Sequence, residues 1–163
     1  MNSEVTGSRS PATTGGRHGM ARSLMAWQVV SALFLLGMAY IHLHLVLTGV
    51  GGVLGKLFVL NAIGGLVLGI AMVVLRHQLL LVASVLSLLF MAGTLLALLL
   101  ALTVGLFGIS ESWHYQLVPT TIVVESVGVI VLAITARMVY RTKAGWGASL
   151  GSSAARRATD ARR

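Results

Sequence analysis

Two imidazoles stand two residues apart in Tyr40-Ile41-His42-Leu43-His44-Leu45, an amide stands at Asn61 and a carboxyl at Glu125, each inside an otherwise apolar run. Glu111 and His114 occupy a polar stretch between two such runs. Imidazole, carboxylate and amide groups can bind first-row metals, carry protons or recognise polar ligands. In hydrocarbon each is costly without a partner, which makes these exceptions the candidate site. Spacing restricts what they can do together. Residues two apart on a helix point about 200° from each other, so His42 and His44 cannot ligate one ion on an unbroken helix. Tyr40 and His44 share a face, while His42 falls roughly with Gln28, Ser31 and Met38. Three readings stay open. An interfacial His hydrogen-bonds a carbonyl or Glu125; His42 or His44 joins Glu111, His114 and Glu125 around a metal; or Glu125 carries a proton, its bland counterpart being an interhelical hydrogen bond. Bis-His haem is disfavoured, because no second imidazole lies at matching depth in another run. No cofactor is assigned.

The elements that must position these groups are apolar. Crossing ~30 Å of hydrocarbon takes roughly 20 apolar residues per helix. Four runs qualify: Leu24 to Leu47, Leu57 to Leu75, Leu79 to Phe107 and Pro119 to Val139. Hydrophobic residues make up 56% of the chain and charged ones 10%, with a mean hydropathy of +0.91, outside the usual soluble range. The expected class is all-α: a polytopic membrane protein whose four transmembrane helices form one bundle. Residues 1–23 form a disordered cytoplasmic tail, 24–139 the membrane domain, and 140–163 a disordered basic cytoplasmic tail. Leu24 to Leu47 is far longer than the ~7 to 15 residue core of a secretory signal and lacks an Ala-x-Ala-like exit, so it reads as a retained span. Breaks are expected at Thr48 to Lys56, at Arg76-His77-Gln78 and at Gly108 to Val118. The third run is long and should tilt or project beyond the bilayer.

Charge sets the orientation. Arg17, Arg22, Arg76, Arg137, Arg141 and Lys143 share one side, against Lys56 alone on the other. The chain is therefore expected in the cell membrane as a multi-pass protein with both termini cytoplasmic. The net charge of +8 sits mostly in the tails, a topology signal rather than a nucleic-acid surface. On this topology Tyr40, His42, His44, Asn61, Glu111, His114 and Glu125 gather near the outer face as one polar cluster. Small residues propose the helix contacts: Gly65 with Gly69, and, as the better signal, Gly93, Ala97, Ala101 and Gly105 at four-residue intervals. Partners consistent with this are the lipid bilayer, a membrane protein or a second copy of the chain.

Cysteine is absent, which excludes disulfides and thiolate sites. No Walker loop, dinucleotide fingerprint, zincin helix or nucleophile elbow occurs, so the chain is not expected to be an enzyme. The runs Tyr40 to Leu45, Phe58-Val59-Leu60-Asn61-Ala62 and Leu102-Thr103-Val104-Gly105-Leu106-Phe107-Gly108, followed by Glu111, resemble a group of small uncharacterised four-span actinobacterial integral membrane proteins. Those relatives carry an aromatic residue after the double His and a more polar first loop, where this chain has Val46 and Gly49-Val50-Gly51-Gly52. The resemblance implies four spans and a cytoplasmic-membrane address, and carries no activity. The function expected is an accessory or binding component of the membrane. The alternative is a small transporter or ion-handling protein using the same cluster.

Overall fold

The computed structural model describes residues 15–105 and 117–160. It is an all-α four-helix bundle: α1 (Gly15–Leu47), α2 (Gly52–Val74), α3 (His77–Thr103) and α4 (Val118–Asp160). All four are long and apolar enough to cross a membrane. Helix is the conformation such runs must take in lipid, because the backbone finds no other hydrogen-bond partner there. The chain is thus a multi-pass membrane protein. The 23 residues of α2 extend about 35 Å at 1.5 Å per residue, enough to span with little tilt.

Side-chain pairings show consecutive helices running antiparallel. Gly65 of α2 lies against Leu35 and Ala39 of α1, and Gly69 against Ala32 and Leu36. Phe90 of α3 covers Gly64, Met91 of α3 touches Gly128 of α4, and Ser31 of α1 meets Thr135 of α4. The helices therefore close a ring, α1 to α2 to α3 to α4 and back to α1. One end, called upper here, holds the α1–α2 turn; the lower end holds the α2–α3 turn.

Both turns are tighter than the sequence suggests. At the upper end Val50 N–H donates to Leu45 O and Gly49 N–H to Val46 O, both at 3.1 Å, with Gly49 at φ +111°. That double bond around a left-handed residue is a Schellman ending, and glycine is the residue it favours. α2 then begins at Gly52, itself at φ +64°, so most of the glycine-rich stretch expected to be loop is already helix. At the lower end only Leu75 and Arg76 separate α2 from α3. Arg76 Nη1 donates to Val73 O at 2.8 Å and so caps α2 with a positive charge at its negative pole. His77 and Gln78, expected in the turn, start α3.

The outer helices also run past their apolar spans. α1 begins at Gly15 and α4 reaches Asp160, so helical backbone enters both segments that composition reads as disordered tails. Extending a helix whose nucleus a membrane span has already formed costs far less than starting one, and Ala and Arg favour it. α3 stops at Thr103, short of the expected Phe107, where Thr103 Oγ1 turns back to Leu99 O at 2.7 Å.

The core fills the lower and middle bundle. Leu35, Met38, Met72, Met91 and Leu132 are fully buried between the helices, with Ala32, Leu80, Ala83 and Val139 around them. Flexible Met side chains suit the irregular gaps left where glycines draw helices together.

Candidate functional site

Above that core the four helices part around a cavity of about 440 Å³. Its walls are mostly Leu45, Leu54, Leu57, Phe58, Leu98 and Val118, and its polar lining is His42, Thr48, Asn61, Thr94, Thr121 and Glu125. Each helix contributes, because the polar residues fall near one depth. His42 is five residues from the end of α1 and Glu125 seven from the start of α4, about 8 and 10 Å along their helices.

Glu125 is 1% exposed, yet its Oε2 has no hydrogen-bond partner among the described residues. An interhelical bond from α1 or α2 to that oxygen, one of the readings above, is therefore not made. Thr94 is the side chain that α3 sets within hydrogen-bonding reach of the carboxyl, and its hydroxyl also lies 2.9 Å from Met91 O, to which it donates. His42 is 5% exposed, and its Nδ1 lies 2.9 Å from Met38 O. A carbonyl can only accept, so Nδ1 carries the proton and Nε2 has the lone pair of the neutral ring. The ring also stands edge-on to Phe58, with centroids 5.0 Å apart and planes at 82°.

The two histidines separate as their spacing requires. His44 is exposed and stacks on Tyr40, centroids 6.0 Å apart, on the opposite side of α1, where Tyr40 is 67% exposed. Tyr40 and His44 therefore leave the expected cluster: a helix turns 100° per residue and carries them to the outside. Glu111 and His114 lie outside the described residues. Those brought to one cavity are His42, Asn61 and Glu125. Among the described residues no group of three His, Cys, Asp or Glu side chains could hold a metal.

The small residues divide in an unexpected way. A Cβ on Gly65 would fall 2.9 Å from Leu35 O and 3.1 Å from Ala39 Cβ, and one on Gly69 3.2 Å from Leu36. The close helix approach thus belongs to this pair. Gly93 meets nothing within 4 Å, Gly105 lies beyond α3 at φ +79°, and Ala97 and Ala101 line the cavity. Of the stripe on α3 expected to receive a helix, Ala97 and Ala101 instead make room for the cavity, and Gly93 is exposed. Small side chains permit close packing but equally permit a void, and spacing alone does not distinguish the two.

Sequence reasoning left Thr48, Thr94 and Thr121 out of the site. Thr121 lies one turn before Glu125 on the same face, a signal available from spacing. Thr94 needed the α3 to α4 register.

The fold and the cavity define a four-span membrane bundle with a polar-tipped apolar pocket at its upper end. No protein-family model, curated protein or solved structure matches the chain.

Proposed function

We propose that this is a binding or accessory protein of the cytoplasmic membrane, which holds a small lipophilic molecule in the upper cavity and is not an enzyme. The observation that carries this is the cavity itself. At about 440 Å³, with apolar walls and a few converging polar groups, it has the size and lining of a small-molecule site. The basic residues on the lower side support an orientation with the cavity in the outer leaflet and both termini cytoplasmic. The runs around His42, Asn61 and Gly105 support kinship with the small four-span actinobacterial proteins.

The ion-handling alternative draws on the same unpartnered Glu125 oxygen. It needs a polar route through the bundle, whereas Leu35, Met72, Met91 and Leu132 fill the core beneath the cavity. Binding is the better reading.

Native mass spectrometry and elemental analysis of the protein purified in mild detergent test it. A small organic molecule should leave with the wild type and be missing from Ala97→Phe, which fills the cavity. A stoichiometric metal would move the assignment to ion handling. For orientation, Cys placed at Ser3 or Ser152 should resist an impermeant thiol reagent in intact cells, and Cys at Ser112 should react; labelling of either tail from outside reverses it.

A further inference from the structure

The hydrogen-bond inventory of the cavity wall is one-sided. His42 Nδ1–H is spent on Met38 O. The hydroxyl of Thr94 is spent on Met91 O at 2.9 Å, that of Thr121 on Leu117 O at 2.8 Å, and that of Thr48 on His44 O at 3.0 Å. The backbone N–H groups of Thr48, Gly49 and Val50 at the rim are likewise spent, on His44 O, Val46 O and Leu45 O, whereas those of Gly52, Val53 and Leu54, which open α2 at the same rim, have no acceptor within the helix. Apart from Asn61, what the side chains of the polar wall retain is mainly lone pairs: the hydroxyl oxygens, His42 Nε2, and the Glu125 carboxyl, whose Oε2 has no partner among the described residues. Asn61 keeps a donor as well as an acceptor, and so does the Glu125 carboxyl in its neutral form. The main-chain N–H groups that begin α4 lie at the mouth, about 10 Å above Glu125.

A wall of acceptors selects its occupant. A carboxylate entering it would set oxygen against oxygen over most of the wall, and a carbonyl would find side-chain donors only at Asn61 or on the neutral Glu125 carboxyl, in a place where unpaired polar atoms are costly. A group bearing several N–H donors satisfies the wall, and a positive charge on it complements the carboxylate. We propose that the cavity takes a small lipophilic amine in its ammonium form, whose N–H groups donate to Glu125 Oε2 and His42 Nε2 while its apolar body lies against Phe58, Leu57 and Leu98. An aminophospholipid headgroup offers the same ammonium, but brings phosphate acceptors with it, so the assigned source is a free amine. The inference rests on the cavity being a ligand site, and adds the chemical class of the ligand.

The test uses the full chain in phosphatidylcholine nanodiscs, with empty nanodiscs as blank, and reads the fluorescence of three probes sharing one aromatic body: naphthylethylamine, naphthylethanol and naphthylacetate. The amine should bind roughly tenfold or more tighter than the alcohol, the difference expected for a hydrogen bond to a charged group, and the acetate should not bind. Glu125→Gln should erase the preference for the amine. If that variant fails to fold, the ranking of the three probes on the wild type decides alone. Equal binding of amine and alcohol, with both lost in Ala97→Phe, overturns the amine while leaving the cavity as a ligand site. Acetate binding tightest overturns it in favour of the helix N-termini at the mouth. Signals unchanged by Ala97→Phe remove both the amine and the cavity reading. Replacing half the lipid by phosphatidylethanolamine should leave amine binding intact; its loss there would assign the site to the lipid headgroup and overturn the free amine.

Discussion

The lower and upper halves of this bundle use the same residue types for opposite ends. In the lower half Ser31 of α1 and Thr135 of α4, both fully buried, hydrogen-bond each other at 2.9 Å, so polar atoms tie two helices together. In the upper half Thr94, Thr121 and His42 bond main-chain carbonyls of their own helices and face a cavity. Small residues split likewise: Gly65 and Gly69 bring α2 onto α1, whereas Ala97 and Ala101 hold α3 open. In a membrane, where lipid is as apolar as the helix surface, stability comes from close packing and interhelical bonds. The lower half supplies both, which lets the upper half keep a void and a carboxyl oxygen, Glu125 Oε2, without a partner among the described residues.

The contrast breaks most sharply at Gly65. Gly65→Leu should lower stability by about 1–3 kcal/mol or more, since its first carbon would already press on Leu35 O, a backbone atom that cannot swing aside. Thermal unfolding in detergent checks this, and tolerance of leucine there would show that the α1–α2 contact is looser than described. Glu125→Leu should act in the other direction, leaving stability unchanged or raising it by about 1 kcal/mol, because it removes a buried oxygen that has no partner among the described residues and leaves Thr94 its bond to Met91 O. It should also abolish ligand capture. A loss of stability would reveal a partner for the carboxyl and dissolve the distinction between the halves.

A double-mutant cycle between Ser31→Ala and Thr135→Ala should return a coupling of about 0.6 kcal/mol, typical of interhelical hydrogen bonds in membranes. The same cycle between His42 and Glu125 should return a value near zero. Reversed magnitudes would place the interhelical glue in the upper half. The smallest effect belongs to Gly93→Ala, which should be neutral or gain a few tenths of a kcal/mol, since nothing lies within 4 Å of the new methyl and alanine favours helix. A cost there would show a neighbour on the α3 stripe, such as a second copy of the chain.

By itself the sequence determined the all-α class, the four spans, and the candidacy of His42, Asn61 and Glu125. The physical reason is that lipid leaves an apolar backbone one conformation and penalises every polar exception, so composition and depth can be read residue by residue. It also separated His42 from His44, because helical rotation is local. Exact ends were less legible: glycines at 51–55 look like loop until a Schellman turn uses Gly49 and frees the rest for helix. Tertiary structure alone decided which small residues meet a helix and which border a void, that Tyr40 and His44 face outward while His42 faces the cavity, and that Ser31 pairs with Thr135. Those depend on the register between helices far apart in the chain, such as Ser31 against Thr135, which no spacing within one helix contains.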